Sequence, residues 1–403
     1  MAGQSNLNDI FNSYMTQKPI FVDKTTLLIQ FTPLNIPHRE EHIRHLGMIM
    51  APILRGEKPS NVFVYGKTGT GKTLCVAHVL DVLGETATRN MNNKIKTIYI
   101  NCKMRKVSDT EYRLLSQILS FFDVDIPCTG LPTDKLYRMF YEIMEKEKHN
   151  IILVLDEIDA LVEKVGDGVL YNLTRINQEI KNSMITLVGI SNKISFINEI
   201  DPRVKSTLSE EEMIFPPYNA MQLNDILTER VNLAFNGGAV SKSIIAKCSA
   251  LAAQEHGDVR KALDLLRVSG EIAEREGRTN IEERDVIDAE KKLDKDKIME
   301  IVKTQPKQSK AVLQSVVELV DKGAENIQTG DVYDLYIKKC KENFISELTQ
   351  RRVTDLISEL DMLGIINAKV ISKGRYGRTR EVSMNLSDSV MEKIRQHMKN
   401  EFI

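Results

Sequence analysis

Residues 61–73 read NVFVYGKTGTGKT, an apolar run that ends at a glycine and leads into a GKT triplet. The spacing is GxxxxGKT, and its glycines let the backbone turn tightly enough to aim successive N–H groups at phosphate oxygens. Lys72 would then reach the outer phosphates, and the Thr73 hydroxyl would bind Mg²⁺. The stretch predicts a strand, a phosphate-binding loop and a helix. The predicted nucleotide-binding residues of this loop are Gly69, Thr70, Gly71, Lys72 and Thr73.

Four more short apolar runs follow, separated by residues with helical periodicity. The runs lie at 95–100, 151–155, 185–190 and 213–215. Strands that are apolar on both faces are typical of a parallel sheet with helices on each side. The sequence therefore predicts an α/β domain. The predicted helices within it include 72–83, 109–122 and 133–147.

An acidic motif supplies the second half of the phosphate site. The run LVLDEID at 153–159 delivers Asp156 at the carboxyl end of a strand, where α/β sheets bind ligands. We expect Asp156 to bind Mg²⁺ and Glu157 to polarise an attacking water. Asp159 is expected to cap the following helix. Asn192, at the end of the next strand, can contact the terminal phosphate or that water, although Asn also ends strands commonly.

Beyond Pro216-Pro217 the chain becomes helical, which predicts a small lid domain. From residue 304 onward, three helical patterns precede two β runs that flank a Gly/Arg turn, and this is the winged-helix pattern. The helices are predicted at 307–321, 329–342 and 349–363, and the β runs at 366–371 and 380–385. The predicted organisation is a flexible N-terminal segment 1–20, an α/β ATPase domain 21–217, a helical lid domain 218–303 and a winged-helix DNA-binding domain 304–403.

The C-terminal domain carries the candidate DNA-binding surface. Thr349 is a plausible N-cap for the recognition helix, which presents Arg351 and Arg352 near its start. Residues 367–380 contain five basic residues and no acidic one. Arginines on a hairpin suit a narrow groove or phosphates, and the alternative is a solvated hairpin tip. The candidate wing residues are Lys373, Arg375, Tyr376 and Arg378.

Composition excludes several other classes of protein. The 403 residues are 42% hydrophobic and 28% charged with a net charge of −1, so any DNA-binding charge must be local. No run approaches the roughly 20 apolar residues of a membrane span. The five cysteines are scattered singly, which indicates reduced thiols without structural zinc. We expect a cytoplasmic, nucleoid-associated protein without a membrane partner.

Together these motifs resemble the archaeal replication initiators of the Orc/Cdc type, AAA+ ATPases related to the eukaryotic origin recognition complex. The resemblance runs from about Phe31 to Leu386. The most specific strings beside the two phosphate motifs are FTP at 31–33, PHREE at 37–41, DPRVKSTL at 201–208, FPPY at 215–218, 257–267 and 374–380.

The resemblance implies further residues of the nucleotide site. Tyr218 and Arg230 would complete the pocket, while Pro37 and Arg39 would lie near the base. Asn192 would be the residue that AAA+ proteins call sensor 1. A lid helix would return Arg260 to the bound nucleotide.

Two more implications concern a neighbouring molecule or DNA. Arg203 sits where AAA+ proteins place a finger for a neighbour's γ-phosphate, although contact with DNA or an internal pair is an alternative. A DNA-contacting insertion of the ATPase domain would include Thr129 and Gly130. Its competitor is a basic patch just upstream, at Lys103, Arg105 and Lys106.

The implied function is an ATP-binding initiator that recognises double-stranded origin DNA. Its ATP or ADP state, with weak ATPase activity, would act as a switch for recruiting the replicative helicase. Paralogous initiators are further implied partners. The alternatives are a winged-helix P-loop transcription regulator and a loader ATPase directed at a partner protein.

Overall fold

The structure is a computed structural model in which the chain forms two compact units, Met1–Val286 and Ile287–Ile403. Among the residues it describes, no helix has the length and apolar content to cross a membrane. The described residues are 12, 14–33, 35–90, 95–104, 110–124, 126–127, 130–208, 210–324, 327–372, 378–384, 386 and 388–401.

A five-stranded parallel sheet forms the centre of the first unit, with strand order β2-β3-β4-β1-β5. The strands are β1 Val62–Tyr65, β2 Ile95–Asn101, β3 Asn150–Asp156, β4 Met184–Ser191 and β5 Glu211–Ile214. In the register, Val62 of β1 lies opposite Val188 on one side and Glu211 on the other. The prediction of a parallel sheet is confirmed, and β5 begins two residues earlier than the apolar run 213–215 indicates.

Side chains of each central strand alternate between two separate cores. Val62 and Val64 belong to one hydrophobic cluster, whereas Phe63 and Tyr65 belong to the other. Because successive residues of a strand point to opposite faces, both faces of the sheet are covered. The covering helices of the ATPase domain are α1 Glu40–Met50, α2 Lys72–Asn90, α3 Glu111–Ser120, α4 Thr133–Lys146, α5 Ile158–Val165, α6 Gly168–Arg175 and α7 Pro202–Leu208.

Helix α2 is longer than predicted, because it continues through Gly84 to Asn90. A Cβ at Gly84 would meet no atom within 4 Å, so nothing in the packing requires a break there. The glycine only lowers helix propensity, and the surrounding helix tolerates that cost.

Three helices form the lid, α8 Ala220–Ala234, α9 Lys242–Gln254 and α10 Val259–Arg275. Helix α8 begins with a capping box in which Asn219 and Gln222 satisfy each other's backbone N–H groups. The lid packs against the N-terminal part of the chain, where the rings of Phe21 and Phe235 lie 4.7 Å apart. Gly270 of α10 faces this ring pair: a Cβ there would lie 2.5 Å from Phe21 Cζ.

Helix α11, Glu283–Thr304, carries the chain from the lid into the second unit. That unit is a winged helix whose recognition helix α14, Gln350–Met362, is N-capped by the Thr349 side chain as predicted. The other helices of this unit are α12 Lys307–Asp321, α13 Thr329–Glu342 and α15 Asp388–Glu401. Its strands are β6 Ile327–Gln328, β7 Asn367–Ser372 and β8 Arg378–Ser383.

The wing differs from the prediction of a two-stranded hairpin. Strand β6 pairs with β8, so the sheet has three strands in the order β6-β8-β7. Two residues are too short a strand to produce a periodic signal in sequence. Helix α15 was also not predicted, although Val390, Ile394 and Met398 form a buried stripe at helical spacing.

We predict opposite effects for two glycine-to-alanine changes in helices. Gly270→Ala would drive a methyl group into the Phe21 ring and should lower the free energy of unfolding by about 1–2 kcal/mol. In Gly84→Ala the added methyl group meets no neighbour, so the higher helix propensity of alanine should raise the free energy of unfolding by about 0.5–1 kcal/mol. Urea unfolding of the two purified variants measures both effects. Equal shifts would contradict the ring packing at Gly270.

Candidate functional site

The loop between β1 and α2 has a backbone that only glycine adopts easily. Gly69 and Gly71 have φ angles of 72° and 89°, in the left-handed region. Space is also restricted, since a Cβ on Gly69 would lie 1.7 Å from Asp258 Oδ1. On Gly71 it would lie 3.0 Å from the Tyr218 hydroxyl. Both glycines are therefore fixed by conformation and by close neighbours.

Lys72 is buried inside this loop, with only 4% of its surface exposed. Its Nζ donates hydrogen bonds to the carbonyl oxygens of Gly66 at 2.8 Å and Lys67 at 2.7 Å. The pKa of Lys72 is lowered to about 8, mainly by desolvation; the charge of Asp156 opposes this shift and that of Arg260 adds to it. The loop thus holds a cation whose partners are backbone dipoles.

Asp156 joins the end of β3 to the start of α2. Its Oδ2 accepts a hydrogen bond from the Thr73 hydroxyl at 2.9 Å and another from the Tyr99 hydroxyl. Its Oδ1 accepts the Glu157 N–H at 2.9 Å. Neighbouring ligands of an octahedral Mg²⁺ at about 2.1 Å lie roughly 3 Å apart, so the Thr73 and Asp156 oxygens fit two adjacent positions of such a site.

Glu157 has an unusual backbone for a glutamate, with φ 55° and ψ 47°. Because L-residues other than glycine rarely adopt this conformation, the surrounding structure must impose it. The carboxylate is partly exposed, and its Oε2 lies 3.5 Å from Lys103 Nζ. It can therefore meet a water molecule while paired with a cation.

The lid touches the phosphate-binding loop through the start of α10. The Val259 N–H donates to the Gly69 carbonyl at 3.3 Å, and the Asp258 side chain caps the helix by accepting the Arg260 N–H at 2.8 Å. Arg260 itself is exposed, and its charge acts on Lys72. The structure thus brings this predicted lid arginine to the loop.

Arg39 is one of the most deeply buried side chains, with 2% of its surface exposed. Its Nε donates to the Thr70 carbonyl at 3.0 Å and its Nη2 to the Pro216 carbonyl at 2.6 Å. The guanidinium also stacks on the Tyr218 ring at 3.9 Å. Arg39 therefore braces the loop, and its predicted place near the base stays a prediction.

Pro37 was predicted to lie near the base, and Arg230 was predicted to complete the nucleotide pocket. Pro37 lines a cleft of about 410 Å³ together with Ile36, Ile43 and His78. Arg230 is buried and its Nη1 donates to the Thr26 carbonyl at 3.4 Å, with the Phe31 ring 4.5 Å from the guanidinium. Desolvation lowers the pKa of Arg230.

Asp159 does not cap α5, contrary to the expectation from sequence. The helix has Glu157 at its N-cap, and Asp159 follows inside the first turn. There its Oδ1 accepts the Ser191 hydroxyl at 2.8 Å, which ties α5 to the end of β4. Asn192 comes directly after that strand, as expected for a residue at the carboxyl edge of the sheet.

Arg203 forms the internal pair that the sequence left open as an alternative. Its Nε and Nη2 donate to the two carboxylate oxygens of Asp201, at 3.1 and 2.9 Å. These bonds lower the pKa of Asp201 to about 2. The side chain is exposed at the start of α7, with the Tyr171 ring 5.4 Å away.

The candidate DNA-binding residues are only partly described. Arg351 and Arg352 are both exposed on the first turn of α14. Arg352 Nη1 lies 3.8 Å from Asp355 Oδ2 and 3.6 Å from Glu359 Oε1, whereas Arg351 has no ion pair with any residue that the structure describes. Gly130 has a φ of 112°. Thr129, Lys373, Arg375, Tyr376, Arg105 and Lys106 lie outside the described residues, and Arg378 is the first residue of β8.

Comparison with known proteins identifies the family of this chain. Three family models match: an AAA domain at residues 55–194, a Cdc6 AAA+ ATPase-type lid domain at 224–291 and a CDC6 C-terminal winged helix domain at 300–394. The ORC1-type DNA replication protein of Thermococcus onnurineus is 48% identical over 395 residues, covering 97% of this chain and 94% of that protein. The chain belongs to this ORC1-type family.

Other ORC1-type relatives agree. The ORC1-type DNA replication protein of Pyrococcus furiosus is 49% identical over 388 residues, covering 95% of this chain and 91% of the relative. The solved structure of the Aeropyrum pernix ORC1 protein in complex with DNA superposes with a TM-score of 0.84 at 42% identity, covering 96% of this chain and 98% of that one. The predicted resemblance and fold class are confirmed.

Sequence reasoning missed three residues of the site. Tyr99 and Lys103 come from β2 and the turn after it, and Asp258 comes from the lid. Tyr99 and Lys103 belong to no motif with fixed spacing, and in the string 257–267, which contains Asp258, the resemblance implied a role only for Arg260. Only the tertiary structure brings them to Asp156, Glu157 and Gly69.

The buried charge of Lys72 predicts a specific pH dependence of stability. Its folded pKa of about 8 is below the unfolded value of about 10.4, so the unfolded chain binds the extra proton between these values. Raising the pH through this window favours the folded state. From about pH 7 to about pH 9.5, the unfolding free energy of the ligand-free wild type should rise by about 2 kcal/mol relative to Lys72→Met.

Urea unfolding at several pH values measures this difference. The control is Lys67→Met, which changes an exposed lysine of the same loop and should follow the wild type. If the difference in unfolding free energy between wild type and Lys72→Met stays constant with pH, the pKa of Lys72 is not lowered by burial.

Proposed function

We propose that this chain is a replication initiator that binds ATP and recognises double-stranded origin DNA. The observation that carries the proposal is the arrangement at the loop, where Lys72, Thr73 and Asp156 converge in a chain of the ORC1-type family. The bound state, ATP or ADP, would act as a switch, and hydrolysis would be slow. The solved Aeropyrum pernix relative was in complex with DNA, which supports the second half of the proposal.

The residues of the loop support nucleotide binding by this site. The left-handed glycines orient N–H groups toward phosphate, and the first turn of α2 adds a favourable dipole. Lys72 Nζ would exchange its bonds to the Gly66 and Lys67 carbonyls for phosphate oxygens. Thr73 and Asp156 would hold Mg²⁺, which supplies charge neutralisation when bound.

Glu157 is the proposed general base of hydrolysis. Its carboxylate is next to the metal-binding Asp156 and partly exposed, so it can orient water and accept its proton. Asn192 at the end of β4 would hold the same water or the terminal phosphate. Arg260 would contact the phosphates from the lid, while Arg203 would have to leave Asp201 to reach a neighbour's nucleotide.

We predict that Glu157→Gln retains ATP but loses hydrolysis. The amide keeps the shape of the side chain and cannot accept the proton, so the single-turnover rate should fall by at least about 100-fold. Binding of a fluorescent ATP analogue should be unchanged. Glu163→Gln is the control, since this exposed glutamate lies on α5, the helix that begins after Glu157, and pairs with Lys193. Hydrolysis by Glu157→Gln at the wild-type rate would assign the base elsewhere.

DNA recognition is proposed for the recognition helix α14 and the wing. Arg351 is exposed with no ion pair in the described part of the chain, whereas two carboxylates partly offset the charge of Arg352. Arg351 is therefore the stronger candidate for a phosphate or base contact. The wing residues Lys373, Arg375, Tyr376 and Arg378 are proposed as a second contact, and Thr129 and Gly130 as a third.

We predict that Arg351→Ala weakens duplex binding more than Arg352→Ala does. Loss of one phosphate contact should flatten the slope of log K against log salt by roughly 0.9, and loss of a base contact should cost about 1–3 kcal/mol on the specific site only. Titrations with origin and scrambled duplexes at several salt concentrations separate the two. Lys322→Ala, which removes a lysine paired with Glu318, is the control.

The same titrations test the alternatives. Equal affinity for origin and scrambled duplexes, together with fast turnover stimulated by a partner, would support the loader ATPase. Specific binding at promoters rather than origins would support the transcription regulator. Recruitment of the replicative helicase and pairing with paralogous initiators remain part of the proposal, and pull-down in the ATP and ADP states tests them.

A further inference from the structure

We propose that Tyr99 is a positioning residue for the metal-binding carboxylate of Asp156, an inference that rests on the nucleotide site proposed above. Tyr99 lies on β2, outside every motif recognised in the sequence. Its hydroxyl donates a hydrogen bond to Asp156 Oδ2. That is the same oxygen that accepts the Thr73 hydroxyl.

Three hydrogen-bond donors contact the Asp156 carboxylate, one at Oδ1 and two at Oδ2. Oδ1 accepts the Glu157 N–H at 2.9 Å, which belongs to the backbone and cannot be removed by mutation. Oδ2 accepts the Thr73 and Tyr99 hydroxyls. Mg²⁺ bound to Oδ2 would take one of its two acceptor positions, the one that the Thr73 hydroxyl occupies here. Tyr99 is then the side chain that still fixes the direction of Oδ2.

The lone pairs of Oδ2 allow this arrangement. A carboxylate oxygen has two acceptor positions, so it can bind Mg²⁺ with one while accepting the Tyr99 hydroxyl with the other. Groups that hold a metal ligand in this way typically change metal affinity by about 10–100-fold when they are removed. The tyrosine would thus orient Asp156 without touching the metal.

Packing gives little reason for the hydroxyl at this position. Strand β2 is at the edge of the sheet and pairs only with β3. The Tyr99 side chain is 40% exposed, so a phenylalanine ring would occupy the same place. The hydrogen bond to Asp156 is what distinguishes tyrosine from phenylalanine there.

The test compares Tyr99→Phe with wild type by titrating MgCl₂ into protein and a fluorescent ADP analogue. We expect the Mg²⁺ concentration for half-maximal tightening of nucleotide binding to rise by about tenfold. Affinity for the analogue in EDTA should be unchanged. Tyr137→Phe is the matched control, because it removes a tyrosine hydroxyl that donates to the carboxylate of Glu111 at 2.7 Å in the same unit.

A double-mutant cycle with Asp156→Asn tests whether Tyr99 acts through Asp156. Tyr99→Phe should have no effect on the Mg²⁺ requirement in the Asp156→Asn background. An unchanged Mg²⁺ requirement in Tyr99→Phe overturns the inference, as does an equal loss of affinity with and without Mg²⁺. If the wild type binds no nucleotide, the proposed function itself fails and the inference with it.

Discussion

The hydrogen bond from the Thr73 hydroxyl to Asp156 Oδ2, 2.9 Å long, joins the two halves of the candidate nucleotide site. It joins elements that the sheet keeps apart, because β4 lies between β1 and β3. Two strand spacings amount to roughly 10 Å, so the loop after β1 must carry α2 across the carboxyl edge to reach Asp156. The left-handed glycines make that crossing possible. The lid contacts this loop at Gly69, Lys72 is buried within it, and Glu157 follows Asp156 directly.

Three basic side chains of the first unit are almost fully buried, and they share one electrostatic feature. Arg39, Lys72 and Arg230 have 2%, 4% and 7% of their surfaces exposed. In the described contacts their hydrogen-bond acceptors are backbone carbonyls, and both arginines also stack on aromatic rings. Carbonyl dipoles satisfy a cation without cancelling its charge as a carboxylate would. Lys72 can therefore exchange a carbonyl partner for an anionic oxygen, while the nearby carboxylates of Asp156 and Asp258 limit the positive potential of the loop.

Motif spacing predicted several residues of the candidate site, but it did not predict the hydrogen-bond partners of their side chains. Lys72, Thr73 and Asp156 could be predicted because each lies in a short motif, GxxxxGKT or LVLDEID. Helical periodicity likewise predicted the observed bounds of α12 and α13. Tyr99 reaches the site through tertiary packing from β2, for which no short pattern exists. Asp258 lies in the 257–267 string, but its contact with Gly69 depends on the packing of the lid. The prediction for Asp159 was wrong for a related reason: Asp159 lies on α5, and its partner Ser191 lies at the end of β4.

The left-handed backbone of Glu157 has a consequence for how this protein can change over time. Holding a glutamate at φ 55° and ψ 47° costs about 1–2 kcal/mol that glycine would not incur, and asparagine would incur less of it. Replacement at this position would therefore make the fold more stable while removing the carboxylate. At this residue, backbone stability and the proposed role of the carboxylate in hydrolysis therefore oppose each other.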